Sequence, residues 1–398
     1  MIELHQRIRR NVYFILATAI LALAVLFAVG TVFALTVTLA IDETSVGPIY
    51  LGNRSESDYP TYLERRVSEW RTDASYSISF QGYVYEIDLG NLHFDADATA
   101  AGIVRGSDNL AVFDIGDDAR TALIADLEAL FSDTVTSQCD LDAFLGDLIA
   151  DVSHLYQIRM YRLGDYLALD ASETILATVV LDGLDPDDVA AIAAAATFYE
   201  IPASSRFSLL EATAMAGLDN DQLSILASLM QVTTGATRFQ SFVYRAWNDV
   251  PGWADVGRNI RIMRVSGLDF AFYNPIDFTY RFDVTAETAT SLRIDLIGVP
   301  FVETIVSAWE LAAVVPFATE TIDDPDVDAS TPGVIVLETD TDTVYRVLVR
   351  AGADGAIWFL NRSVTMPGGT PAVERIAIEE RLSVAAIYRE NVVPKGGE

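Results

Sequence analysis

In 398 residues the sequence has one cysteine, one lysine and three histidines. Each scarcity closes off a class of chemistry. With Cys139 alone no intramolecular disulfide can form, so the fold must rest on hydrophobic cores. Cys139 stands just before a helical pattern and reads as a packed residue rather than a nucleophile. His5, His93 and His154 are far apart in the chain, which is not the spacing of a zinc site. No phosphate-cradling glycine loop, H-E-x-x-H or G-x-S-x-G motif occurs. Neither a cofactor nor a metal ligand set is expected. Lys395 is the sole lysine, and the 57 acidic residues bring the net charge to −31. So acidic a chain repels nucleic acid and anionic surfaces, which removes nucleic acid from the partners. The acids are spread along the chain rather than gathered in one block. That is the pattern of a surface kept soluble in a saline (halophilic) or alkaline exterior.

Charge is missing altogether from Val12 to Ile41. A spanning helix needs roughly 20 apolar residues, and this run exceeds that. Arg7, Arg9 and Arg10 precede it; Asp42 and Glu43 follow. The positive-inside rule then gives a cytoplasmic tail at 1–11, a transmembrane helix at 12–41 and an extracellular remainder: a single-pass protein of the cell membrane. A cleaved signal peptide would carry an apolar core of only about 7–15 residues.

The exported part predicts an α+β fold of several domains, with mixed helices and antiparallel sheet. Residues 46–105 alternate short elements: a strand at Pro48–Leu51, an amphipathic helix over Tyr62–Trp70 and a hairpin around Gln81-Gly82. Residues 106–165 read as helical, with Leu123, Leu127 and Phe131 on one face. Residues 166–310 open with a strand at Thr174–Leu181. A helix follows from Asp185 to about Tyr199, stopped by Ile201-Pro202. A second helix covers Asp221–Met230. Strands are then expected at Phe239–Trp247, Asn259–Val265, Asp269–Tyr273, Phe278–Val284 and Ser291–Ile297. The acidic stretch 319–333 reads as a linker or solvated loop, and residues 315–393 as a strand-rich tail.

Five short segments in order resemble the VanW-like family of bacterial cell-envelope proteins. They are Ile201–Ser208, Gln222-Leu223-Ser224, Tyr244-Arg245, Gly257–Ile260 and Asp269–Asn274. The flanks are similar to its usual neighbours: 46–105 to a peptidoglycan-binding repeat and 315–393 to a G5-like tail. The resemblance implies a setting at the cell wall, with peptidoglycan or another wall polymer as partner. It also has gaps. Asp221 stands where the family has cysteine, and Ala246 follows the segment where the family has histidine. Any Cys/His chemistry of the family is therefore closed to this chain.

The candidate binding residues are Ser208, Glu211, Asp221, Gln222, Ser224, Arg245, Arg258, Asp269 and Asn274. Asp219 and Asp221 can also be read simply as a helix cap, which is the reading the pattern favours. Three functions stay open. The first is a non-catalytic module that binds or scaffolds cell-wall material. The second is a carboxylate-dependent enzyme acting on that material. The third is a membrane-anchored interaction or sensor protein.

Overall fold

The computed structural model describes residues 2–38, 43–195, 198–247 and 250–395. It is an α+β protein with one long N-terminal helix, Ile2–Thr38. Within that helix Val12–Thr31 is long and apolar enough to cross a membrane, with mean hydropathy 2.7 and no part of it buried. A signal sequence near an N-terminus meets the same description. Its threonines are satisfied internally: Thr18 and Thr31 donate to the carbonyls of Phe14 and Phe27, at 2.6 and 2.9 Å. Threonine hydroxyls within a helix bond back to the preceding turn in this way. Residues 39–41 of the expected span lie outside the described residues.

The chain divides into two compact units: residues 1–78, 86–123 and 142–161 form the first, and residues 79–85, 124–141 and 162–398 the second. In the first, the helix Tyr59–Asp73 buries Tyr59, Leu63, Val67 and Trp70, one stripe at helical spacing. Trp70 meets Tyr76 edge-on at 6.2 Å, and Phe144 meets Tyr161 at 5.4 Å. The strands Ser45–Val46 and Ile49–Tyr50 turn at Gly47, whose φ is +50°. A Cβ there would stand 2.4 Å from the His154 carbonyl oxygen, so the position requires glycine.

The second unit is built on a four-stranded antiparallel sheet, in the order Phe198–Ile201, Tyr280–Thr288, Ser291–Ile297, Ile175–Leu181. Tyr280, Phe282 and Val284 alternate inward along their strand. The inner strand Ser291–Ile297 is buried on almost its whole length. Phe272 stacks on Phe207 at 5.0 Å and on Phe239 at 4.9 Å, at the centre of the aromatic core. Against the sheet lies the helix Asn220–Gly235, twelve of whose residues are buried. The tail forms two further sheets, Thr304–Val315 with Gly355–Thr365 and Ala372–Arg381, and Thr319–Asp323 with Ala386–Pro394, Asp342–Arg350 and Ile335–Glu338.

The buried helix is served by side chains rather than by a strand. The amides of Ile260, Ile262 and Arg264 donate to Ser228 Oγ, Ser224 Oγ and Asn220 Oδ1 at 2.9, 3.0 and 3.1 Å. Four residues of helix advance about 6.0 Å, and two residues of extended chain about 6.6 Å. The two repeats match, so an extended segment can run antiparallel to the helix and bond at every second residue. Its other edge pairs with backbone: Trp247 donates to Asn259, and Arg261 to Arg245.

Four expectations change. The stretch 106–165 is helical only in part, since Ile158–Arg162 is a strand, its Ile158 and Tyr161 suited to a pleated surface. The helix from Asp185 ends at Ala195, and Phe198–Ile201 is a strand paired with Tyr280–Asp283. Phe198 and Tyr199 suit a pleated surface, and pairing overrides the helical run of alanines before them. Asn259–Met263 is extended but is not a sheet strand, because one edge is taken by helix side chains, and Arg264 and Val265 enter a turn. The stretch 319–333 is not a plain linker. Thr319–Asp323 pairs in parallel with Ala386–Glu390, and Val327 is buried beneath Asn391, which donates to the Pro325 and Val327 carbonyls.

Replacing Ser224 or Ser228 by alanine leaves a buried amide without an acceptor, at a cost of about 1–3 kcal/mol. Thermal unfolding should drop by about 2–4 °C per kcal/mol for a domain of about 150–250 residues. An unchanged melting temperature for both variants would show that the segment does not depend on these hydroxyls.

Candidate functional site

Of the residues singled out by sequence, Ser208 and Asp269 are bonded to each other. Ser208 donates to Asp269 Oδ2 at 2.6 Å and accepts from the Glu211 amide at 3.2 Å. Asp269 Oδ1 accepts from the amides of Leu210 and Phe270. Together they cap the turn Leu209–Ala212, as an N-cap serine does. The Glu211 side chain is exposed. Asn274 is fully buried; its amide donates to the Pro202 and Phe278 carbonyls, and its oxygen accepts from Ile276.

At the start of the buried helix Asp219, not Asp221, is the cap. Its carboxylate accepts from the amides of Asp221 and Gln222, both at 2.9 Å, and Gln222 returns a bond to the Asp219 amide. That is a full capping box. Gln222 also donates to Asp188 at 3.1 Å, and Asp221 is exposed on the first turn. Ser224 belongs to the contact with Ile262. Arg245 is exposed, and its carbonyl accepts from Arg261. The aromatics of this region are engaged too. Arg261 lies over the Trp247 ring at 4.6 Å, and the Trp309 indole fills the space where Gly257 would carry a Cβ.

Arg258 stands apart from these caps. With Gln231, Ser307 and Trp309 it lines a cleft of about 270 Å³ in the second unit. Beside it, Glu379 is buried and accepts from Asn259 Nδ2 at 2.9 Å and the Gly257 amide at 3.2 Å. Burial pushes its carboxyl above the ordinary carboxylate range, against these bonds and the charge of Arg381, which pull it down. Sequence reasoning passed over Glu379, since one acid among 57 carries no signal until the tail folds back.

The first unit has a cleft of about 670 Å³ lined by Arg66, Glu69, Trp70, Asp108, His154 and Tyr156, among others. His154 and Tyr156 stack at 5.2 Å, and Trp70 Nε1 donates to the Tyr156 carbonyl at 3.1 Å. The cleft thus offers firm aromatic walls and hydrogen-bonding groups of both signs, a lining suited to a polar, uncharged ligand.

No family model and no curated protein matches the chain. Among solved structures it is similar to one described as "IgA1 Protease G5 domain structure", at 13% identity and a TM-score of 0.15. The match covers 22% of this chain and 90% of that one.

Glu379 generates a pH dependence with a definite sign. Its folded pKa lies above its unfolded one, so between the two the folded state holds a proton that the unfolded chain has lost. This contribution to stability is full below the ordinary carboxylate pKa, declines as pH rises through the folded value, and is flat above it. Urea unfolding across the weakly acidic range should show that decline, and Glu379→Gln should remove it. An identical pH profile in the variant would contradict the assignment.

Proposed function

We propose that this chain is a membrane-anchored protein of the cell envelope, with its N-terminus in the cytoplasm, whose outer part binds or scaffolds cell-wall material without catalysing a reaction. The observation that carries the reading is the N-terminal helix. Over Val12–Thr31 its apolar residues are uncovered by protein, and Thr18 and Thr31 are satisfied within the helix. Such a surface is stable in lipid and costly in water. The arginines before it and the acids after it supply the orientation.

The VanW-like resemblance supplies the wall setting. Two of its landmark segments bond through Ser208 and Asp269, and through Pro202 and Asn274. Another brings Ser224 to the segment that continues from Gly257–Ile260. The non-catalytic part of the reading draws on the same geometry, because these side chains already serve caps and docking bonds. Cys139 fits it as well: burial pushes its thiol up to about 12, and it donates to the Val135 carbonyl. A thiol in that state is a poor nucleophile. The cleft of the first unit, lined in part by the stretch 46–105 that is similar to a peptidoglycan-binding repeat, is the surface we assign to the wall.

Two measurements test this in cells. Alkaline carbonate should leave the full-length chain in the membrane, and protease added to intact cells should degrade everything beyond Glu43. Release of a chain cleaved near residue 41 would make the helix a signal peptide. Sacculi isolated after mild crosslinking should carry the protein; sacculi free of it would count against the wall as partner.

A further inference from the structure

We propose that a second cleft, beside Glu303 in the second unit, binds a primary alkylammonium group. The proposal is independent of the wall reading and stands on the geometry of the cleft.

The cleft has a volume of about 630 Å³, within the range of about 300–1,000 Å³ typical of small-molecule sites. Ala125, Ala129, Phe301 and Pro367 give it apolar walls; Glu128, Ser132, Asp133 and Glu303 give it polar ones. Glu303 is the centre. Its side chain is 1% exposed. One oxygen, Oε1, accepts from the Tyr83 hydroxyl and faces Arg238 Nε at 3.3 Å. The hairpin tip that brings Tyr83 is itself held in place. Gln81 donates to the Pro300 carbonyl at 2.8 Å and accepts from the Val302 amide at 3.3 Å. Arg238 is engaged as well, donating to the Gln81 carbonyl at 2.9 Å.

The other oxygen, Oε2, is buried and has no hydrogen-bond partner among the described residues. Neither has Ser132 Oγ, also buried and also in the lining. A buried carboxylate oxygen without a donor is costly. Ser132 sits at φ 67° and ψ 152°, a backbone region left almost entirely to glycine. Two free acceptors with Glu128 and Asp133 close by call for a cation that donates hydrogen bonds.

The chemistry narrows the choice. A divalent metal is disfavoured, because the described residues include no group of three or more acids, histidines or cysteines able to hold one. A guanidinium prefers two parallel bonds to one carboxylate, and Glu303 has a single oxygen to give. An ammonium has three donors on one nitrogen. They match Glu303 Oε2, Ser132 Oγ and one of the two rim carboxylates. Its alkyl stem would lie on Phe301, Pro367 and the two alanines, as lysine stems lie on apolar surface. The two acceptors are buried in the free protein, so the lining must shift for the nitrogen to reach them.

The test is calorimetric titration of the full-length protein in detergent micelles. Pentylamine represents a free small amine and N-acetyl-lysine amide an amine borne on a peptide. Pentanol and tetramethylammonium are the controls, one lacking charge and the other lacking N–H donors. Saturable binding of one or both amines, with neither control binding, is the expected result, and the stronger amine identifies the source. Glu303→Gln should weaken binding by about tenfold to a hundredfold, the loss of a hydrogen bond to a charged group. Should Glu303→Gln fail to fold, Ser132→Ala and Glu128→Gln decide, each expected to weaken binding severalfold. Absence of saturable amine binding would overturn the proposal. So would equal binding of tetramethylammonium, which is the mark of diffuse attraction to an acidic surface, or unchanged affinity in the folded variants.

Discussion

Asn220, Ser224 and Ser228 lie one above another on a helix that is buried almost all round, and the second unit is organised by what they bind. A helix in that position normally presents apolar side chains to every neighbour. Here one stripe is polar, and it receives the amides of an extended segment at alternate residues. Those amides would otherwise be buried without acceptors. Each serine hydroxyl also donates one turn back along its own helix, Ser224 to Asn220 and Ser228 to Ser224. The same segment begins at Gly257 and Asn259, where Glu379 of the tail takes its bonds. A second tail residue, the buried Arg362, donates to the Thr237 and Phe239 carbonyls just past the helix end. A cation there also suits the negative end of the helix dipole. Because the segment runs antiparallel to the helix, its start lies toward the helix's C-terminal end, and the tail holds both at that end.

Charge plays a different part in this molecule from the one its amount suggests. Most of the acids are solvated, and the buried ones are few and answered. Asn259 and the Gly257 amide answer Glu379, and arginine answers several of the exposed and half-buried acids. Arg281 donates to both oxygens of Glu173 and to Asp283, and Arg346 grips Glu390. Forked contacts of this kind are open to a guanidinium and closed to an ammonium, in keeping with a chain that has one lysine. Glu303 is the exception, a buried carboxylate with one oxygen answered and the other free, and this makes its cleft unlike the rest of the acidic surface.

Much of the architecture was legible because it follows from periodicity. The apolar helix, the stripe Leu63, Val67, Trp70, the Gln81-Gly82 turn and the alternation through Tyr280, Phe282 and Val284 are all local patterns. What escaped was set by partners distant in sequence. The alanine-rich run before Phe198 looks helical through Tyr199 until Tyr280–Asp283 is there to pair with it. The strand at Thr319–Asp323 depends on Ala386–Glu390, more than sixty residues on. At the candidate site the distinction is sharper still. Residue type and order pointed to Ser208, Ser224 and Asp269; Ser208 and Asp269 bond to each other in a cap, and Ser224 is a docking group for Ile262. The acids with unusual surroundings, Glu303 and Glu379, gave no signal, since burial and not identity sets them apart.

The central claim is that an acidic outer part, held at the membrane by one helix, meets the cell wall. Co-sedimentation of the full-length protein in detergent with purified peptidoglycan sacculi, over a wide range of salt, tests it most directly. A chain of charge −31 should be repelled by an anionic wall at low ionic strength, and screening should remove that repulsion. The account predicts saturable binding that survives or strengthens as salt is raised. Absence of binding at every salt concentration would contradict it and turn attention to a protein partner or a soluble ligand.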